Sequence, residues 1–349
     1  MKIASAASAF PKYYYDQKSV QERLERIWAH KPEIVRRLPA LLENCGVEGR
    51  AFALPLERYE ELDGFTQFND GWIRVALELG EAAVTRALDR AGLKPADVDL
   101  ILFSTVTGLA APSIDARLCN KLGFRSDVRR MPLFGLGCVA GAAALARATD
   151  FVRGRPKGVA LVLTIELCSL TWQKDDTSLA HVISCGLFGD GASAAVVVGA
   201  EHPARGVRVV DTRSVFYRDT EDVMGWRIGQ HGFKIVLSPS VPSVAKERLG
   251  PDCAKFLAEH GLAPRDIAFW VCHPGGPKVL EAARDSLGLD DDAVAISWES
   301  LRNAGNLSSA SVMLILERTL QQRTPKAGSK GVLLAMGPGF CSELLLLEA

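Results

Sequence analysis

No surplus of either charge marks this chain, since 41 lysines and arginines face 41 aspartates and glutamates across 349 residues. That balance removes the electrostatic case for nucleic acid or an acidic membrane surface as a partner. No uninterrupted apolar run is long enough to cross a bilayer. The opening MKIASAASAF is too short and too weakly apolar for the core of a signal peptide. The eight cysteines include no CxxC pair and no zinc-type spacing, so they read as reduced thiols of a cytoplasmic protein. Glycine-rich GLFGDGA and GLGCVAG fit neither a phosphate loop nor a dinucleotide fingerprint, because no Gly-Lys-Ser/Thr follows and the glycine spacing is wrong.

What is present is 48% hydrophobic residues, enough for two core-bearing halves or one large domain. Residues 1 to about 75 look irregular, with a charged helix around QERLERIWAHKPEIVRRLPALLEN. GWIRVALELGEAAVTRALDRAG has apolar positions at helical spacing and ends at the C-cap candidate Gly92. VDLILFSTVTG, RRMPLFGLG and GVALVLTIEL read as strands, separated by the helices PSIDARLCNKLG and CVAGAAALARATDFVRG. The order recurs near the C-terminus: IAFWVCHP as a strand, GGPKVLEAARDSLG as a helix, DDAVAISWESLRNAG as a strand with a turn, NLSSASVMLILERTLQQ as a helix, GVLLAMGPG as a strand. This repetition predicts a duplicated α/β architecture with mostly parallel strands, halves at 1–210 and 211–349, and two apolar helices buried at the centre.

The duplication has a spatial consequence. Cys138 opens the central helix of the first half, Asn306 opens its counterpart, and His273 closes a strand of the second half. Functional groups in parallel α/β folds gather at strand carboxyl ends and the following helix amino ends. Singly, each residue has an ordinary explanation: a buried thiol, a strand-end histidine before a proline-glycine turn, an asparagine N-cap. A helix amino terminus, however, favours thiolate at Cys138. Together a thiol, an imidazole and a carboxamide supply a nucleophile, its proton partner and an oxyanion donor, a centre suited to acyl thioesters.

Five ordered motifs, Cys138 in GLGCVAG, Phe188 in GLFGDGA, His273 in CHPGGP, Asn306 in NAGNLSSAS and the MGPG loop at Gly337 to Gly339, resemble the chalcone and stilbene synthase family of type III polyketide synthases. TIELCSLTWQ and AMGPGFCSELLLL resemble bacterial members. The likeness implies the thiolase fold, with duplicated αβαβα layered halves, a homodimer, and neither metal nor redox cofactor. It implies that Cys138 carries the acyl chain as a thioester, with His273 stabilising the thiolate as an ion pair. His273 and Asn306 would hold malonyl-CoA while it decarboxylates, and Phe188 would stand as gatekeeper between the CoA tunnel and the cavity. Val106, Thr107, Ala111, Cys168, Thr171, Gly225 and Ser308 would line that cavity, and Arg50 would meet the CoA phosphates, with a solvated surface arginine as its competing reading.

Most of those lining residues are small, so a long-chain fatty acyl starter is expected, with alkylpyrone or alkylresorcinol products. Ala111 departs from the methionine common at the plant dimer-crossing position. Ring closure is expected to depend on hydroxyls and water near Asn306 and Thr171, and delivery by an acyl carrier protein stays open beside CoA. A β-ketoacyl synthase III type priming enzyme shares the fold and the three polar residues but usually has Gln-Ala-Asn after the histidine, where this chain has Pro-Gly-Gly. Two other readings are a non-catalytic acyl-CoA-binding subunit, which has no need of all three polar residues, and a cysteine protease, which leaves the duplication unexplained.

Overall fold

Two runs, VALVLTIEL and DGASAAVVV, are buried at every residue. Strands of that kind lie inside a sheet covered on both faces. The computed structural model describes all 349 residues and places both at the heart of a nine-stranded sheet. The strands of the first part are β1 Lys2–Ala9, β2 Tyr13–Asp16, β3 Gly49–Phe52, β4 Leu100–Ser104, β5 Arg129–Leu133, β6 Val159–Leu167 and β7 Asp190–Val198. Those that follow are β8 Val207–Phe216, β9 Met224–Gly229, β10 Gly232–Leu237, β11 Phe269–Cys272, β12 Lys330–Gly337 and β13 Cys341–Glu348. The large sheet runs β11-β12-β13-β8-β1-β7-β6-β4-β5, while β2 with β3 and β9 with β10 form separate ribbons.

At its middle the large sheet is barely joined, because β1 meets β8 only at Lys2↔Arg208 and Ile3↔Val207. Five strands thus belong to one lobe and four to the other, and the expected division at 210/211 falls inside β8. The helices Ala140–Arg153 and Ser311–Gln322 pack between the lobes, sharing one core cluster with residues of both. Gly64–Ala91 covers the first lobe, ending as expected at Gly92 in the left-handed conformation (φ 69°). Val241–Ala258 and Pro277–Leu287 cover the second. The succession helix, sheet, helix, sheet, helix is that of the thiolase fold.

Three sequence expectations are corrected. The sheet is mixed rather than mostly parallel: β4–β5, β4–β6 and β11–β12 are parallel, whereas β1–β7, β1–β8, β6–β7, β8–β13 and β12–β13 are antiparallel. The short turn Pro338–Phe340 between β12 and β13 leaves room only for a reversal. The segment expected to be a strand in DDAVAISWESLRNAG is the helix Ala295–Ala304, with Ile296, Ser300, Leu301 and Ala304 buried at helical spacing. And the N-terminus is not irregular. β1 is a central strand, whose small side chains let Gly64–Ala91 approach one face closely enough for Ser5 Oγ to donate to the Ala87 carbonyl at 2.6 Å.

Candidate active site

Cys138 sits in a single helical turn, Gly137–Val139, that leads into Ala140–Arg153. Two glycines make this possible. Gly137 adopts φ +53°, and a Cβ there would press on the Pro338 ring at 2.8 Å. At Gly141 a Cβ would overlap the Ser309 carbonyl oxygen and crowd Val312. The start of the first central helix is therefore locked against the start of the second, and Cys138 Sγ lies 3.6 Å from Ser308 Oγ. Ser308 itself is held at φ 48°, a conformation a non-glycine residue adopts only under constraint.

Asn306 supplies part of that constraint, its Oδ1 accepting from Ser308 N at 2.8 Å while Nδ2 donates to the Gly275 carbonyl at 3.3 Å. A parallel bridge ties Asn306 to Phe188, with Gly189 N donating to Asn306 O at 3.0 Å and Asn306 N to Leu187 O at 2.9 Å. His273 follows β11 and is anchored by its N–H on the Leu334 carbonyl at 3.0 Å. Both its ring nitrogens are buried without a partner. Cys138 and His273 line one small cavity, with Met224, Met336 and Phe340 among its apolar walls.

Burial sets the charges here. The Cys138 thiol is pushed up to about 11, chiefly by desolvation, although Ser308 and Asn306 pull it down as hydrogen-bonding partners. Desolvation pushes the His273 imidazole down to about 3. Both shifts favour the uncharged form and so run against the expected ion pair. The sequence argument had weighed only the helix terminus, worth ~0.3–1 kcal/mol. A rise from 9.0 to about 11 corresponds to about 3 kcal/mol and outweighs it.

Beyond Ser308 opens a second, larger cavity. Of the expected lining residues, Val106, Thr107, Cys168, Thr171 and Ser308 are in its wall, together with Phe188. Two are not brought there. Ala111 is exposed in the loop after β4. Gly225 is in β9 between Met224, which faces the smaller cavity, and Trp226, which faces the larger. Arg50 is wholly buried rather than a solvated surface arginine, and its guanidinium donates to Gln17 Oε1 and the Cys185 carbonyl and lies over the Phe52 ring.

Sequence reasoning missed the N-terminal contribution to this wall: Val20, Leu24 and Ile27 of the helix Gln17–Ile27, then Phe52, Leu56 and Tyr59. The spacing of Val20, Leu24 and Ile27 is an apolar stripe that could have revealed it. Also missed was Glu166, fully buried in β6. It accepts from Thr107 Oγ1 at 3.0 Å, Val106 N at 3.2 Å, Thr105 Oγ1 at 3.4 Å and Ser309 Oγ. Desolvation raises its carboxyl to about 7 against those donors, and its charge raises the Cys138 thiol in turn.

A thiol, an imidazole with free nitrogens and a carboxamide brought together where the two central helices begin, beside a cavity, suit a condensing enzyme acting through an acyl thioester. The chain belongs to the chalcone and stilbene synthase family: the N-terminal domain model matches residues 9–202 and the C-terminal domain model residues 209–349. It is 47% identical to 1,3,6,8-tetrahydroxynaphthalene synthase of Streptomyces peucetius subsp. caesius, over 99% of this chain and 92% of that protein. It is 32% identical to phloroglucinol synthase of Pseudomonas fluorescens, over 97% of this chain and 96% of that one. The crystal structure of the tetrahydroxynaphthalene synthase of Streptomyces coelicolor A3(2), a bacterial type III polyketide synthase, superposes with a TM-score of 0.95 at 33% identity, covering 100% of this chain and 99% of that one. The protein is thus a type III polyketide synthase, an acyltransferase of a family that works on CoA thioesters and needs no cofactor.

Proposed function

We propose that this enzyme primes and extends with malonyl-CoA alone and cyclises the chain to a polyhydroxylated naphthalene. The observation that carries the reading is the 47% identity to a tetrahydroxynaphthalene synthase along 99% of this chain. A naphthalene skeleton divides evenly into two-carbon units, so a malonyl-only chain suffices to build it. In this reading Cys138 Sγ attacks the starter thioester, its proton passes to His273, and CoA leaves as the thiol. The unpartnered ring nitrogens of His273 and the carboxamide of Asn306 hold the thioester carbonyl of the next malonyl-CoA. Loss of carbon dioxide puts the electron pair of the broken C–C bond into an enolate. Its carbon attacks the Cys138 thioester, forming a C–C bond and freeing the thiolate for reloading. Phe188, joined to Asn306 by the bridge, keeps that side apolar and favours loss of the charged carboxylate.

A second reading, a long-chain fatty acyl starter giving alkylpyrones or alkylresorcinols, is favoured by Val20, Leu24, Ile27 and Leu56 in the cavity wall. A homodimer and a cytoplasmic location accompany either reading, the latter supported by eight cysteines that are all free. No helix is long and apolar enough to cross a membrane.

The test is incubation of the protein and Cys138→Ala with malonyl-CoA alone and with a ladder of acyl-CoA starters, products being read by mass spectrometry. A tetrahydroxynaphthalene mass from malonyl-CoA alone, absent with the variant, is the expected result. Products only with long acyl starters would establish the second reading, and products only from a starter on a carrier protein would reopen that route of delivery.

A further inference from the structure

Buried N–H groups are almost always paired, because an unmade hydrogen bond in the interior carries the full cost of desolvation. Here the exceptions include two residues of the large cavity's wall: Nε of Arg23 and Nε1 of Trp172 are buried without a partner. The third cavity residue with this signature is His273, whose free nitrogens face the reaction. Arg23 is also the one lysine or arginine lining the large cavity. Its Nη2 is held by Glu60 and reaches the Glu57 carbonyl at 3.5 Å, which positions the guanidinium and offsets its charge. Nε then offers a single donor, suited to one oxygen rather than to a bidentate carboxylate. Trp172 adds a neutral donor of the same kind.

We propose that Arg23 and Trp172 form an oxygen-binding subsite in the cavity wall that takes keto or enolate oxygens of the growing poly-β-keto chain. The subsite selects a chain oxygenated along its whole length over one with a hydrocarbon end, since a hydrocarbon would leave both donors unpaired when it filled the cavity. It rests on the malonyl-primed reading above and specifies how the cavity distinguishes that chain from an alkyl-primed one. Pairing also orders the chain, because each donor fixes one carbonyl relative to Cys138.

The experiment compares malonyl-CoA alone with octanoyl-CoA plus malonyl-CoA, for the parent protein and for Arg23→Met, Trp172→Phe and Glu60→Gln. The readout is the ratio of malonyl-primed to octanoyl-primed product. Each of the first two variants should lower that ratio about tenfold, the effect of one lost hydrogen bond in a dry site. Glu60→Gln, whose amide oxygen can still accept from Nη2 and so keeps the guanidinium in place while removing only the charge of the ion pair, should keep the parental ratio. Thermal melts establish which variants fold. Arg23 and Trp172 lie on different elements, so either variant alone decides the matter. An unchanged ratio in a folded donor variant overturns the subsite, as does an equal fall in Glu60→Gln. If the parent makes nothing from malonyl-CoA alone, the malonyl-primed reading fails and the subsite with it; a productive parent with unmoved variants isolates failure of the subsite.

Discussion

Burial pushes Cys138 toward the thiol form before substrate arrives, and that balance can be measured directly. With the thiol near 11 and His273 near 3, thiolate in the free protein should increase about tenfold for each step of pH above neutrality. Alkylation of Cys138 by iodoacetamide should follow that rise between about pH 7 and about pH 9, and a rate already level there would reinstate the ion pair. Cys138, His273 and Asn306 were legible in the sequence because each stands where a helix or strand ends, with glycine or proline beside it. Glu166 was not, because it is a single charged residue within the mostly apolar strand VALVLTIEL, and only packing supplies its four donors. Arg50 was misread for a related reason: an arginine is ordinarily a surface residue, and only the fold shows Gln17 and the Cys185 carbonyl receiving it.

Among the elements, the contact between the two central helices and the helix Gln17–Ile27 matter most to the site. Gly141→Ala should destabilise the protein by about 1–3 kcal/mol in urea denaturation, because the Ser309 carbonyl is backbone and cannot swing away. Activity should fall with it, since the same contact sets the distance from Cys138 to Ser308; an unaltered unfolding midpoint would disprove the close packing. Leu24→Trp, which fills the large cavity from the N-terminal helix, should lower the longest acyl starter accepted in a mass-spectrometric ladder. No change there would show that the chain does not reach this helix. The main strands and the central helices could be read from apolar runs bounded by turn residues. Ala295–Ala304 could not be assigned by analogy with the first half, because the second lobe has one strand fewer and the expected place is taken by a helix.

For the whole molecule, buried titratable groups pull stability in opposite directions along the pH scale. His273 and His181, pushed down to about 3 and about 4 by burial, stay neutral in the fold, while the unfolded chain binds protons from ~6.5 downward. Their contribution is present above that value and is lost as pH falls toward the folded values. Glu166 and Asp190, raised to about 7 and about 6 by desolvation, act in the reverse sense: their contribution is complete below ~4 and is lost as pH rises through those values. His181→Gln should therefore lose about 2 kcal/mol less than the parent between about pH 7 and about pH 5 in denaturant titrations. Equal losses would place the His181 imidazole in contact with water. The sequence by itself determined the layered α/β class and the family, and singled out three polar residues as a candidate site, because periodicity, turn chemistry and ordered motifs are local properties of the chain. Only the tertiary structure decided that the sheet is mixed, that the N-terminal helix walls the cavity and that burial pushes the thiol and the imidazole toward their uncharged forms, because each depends on where distant segments of the chain pack.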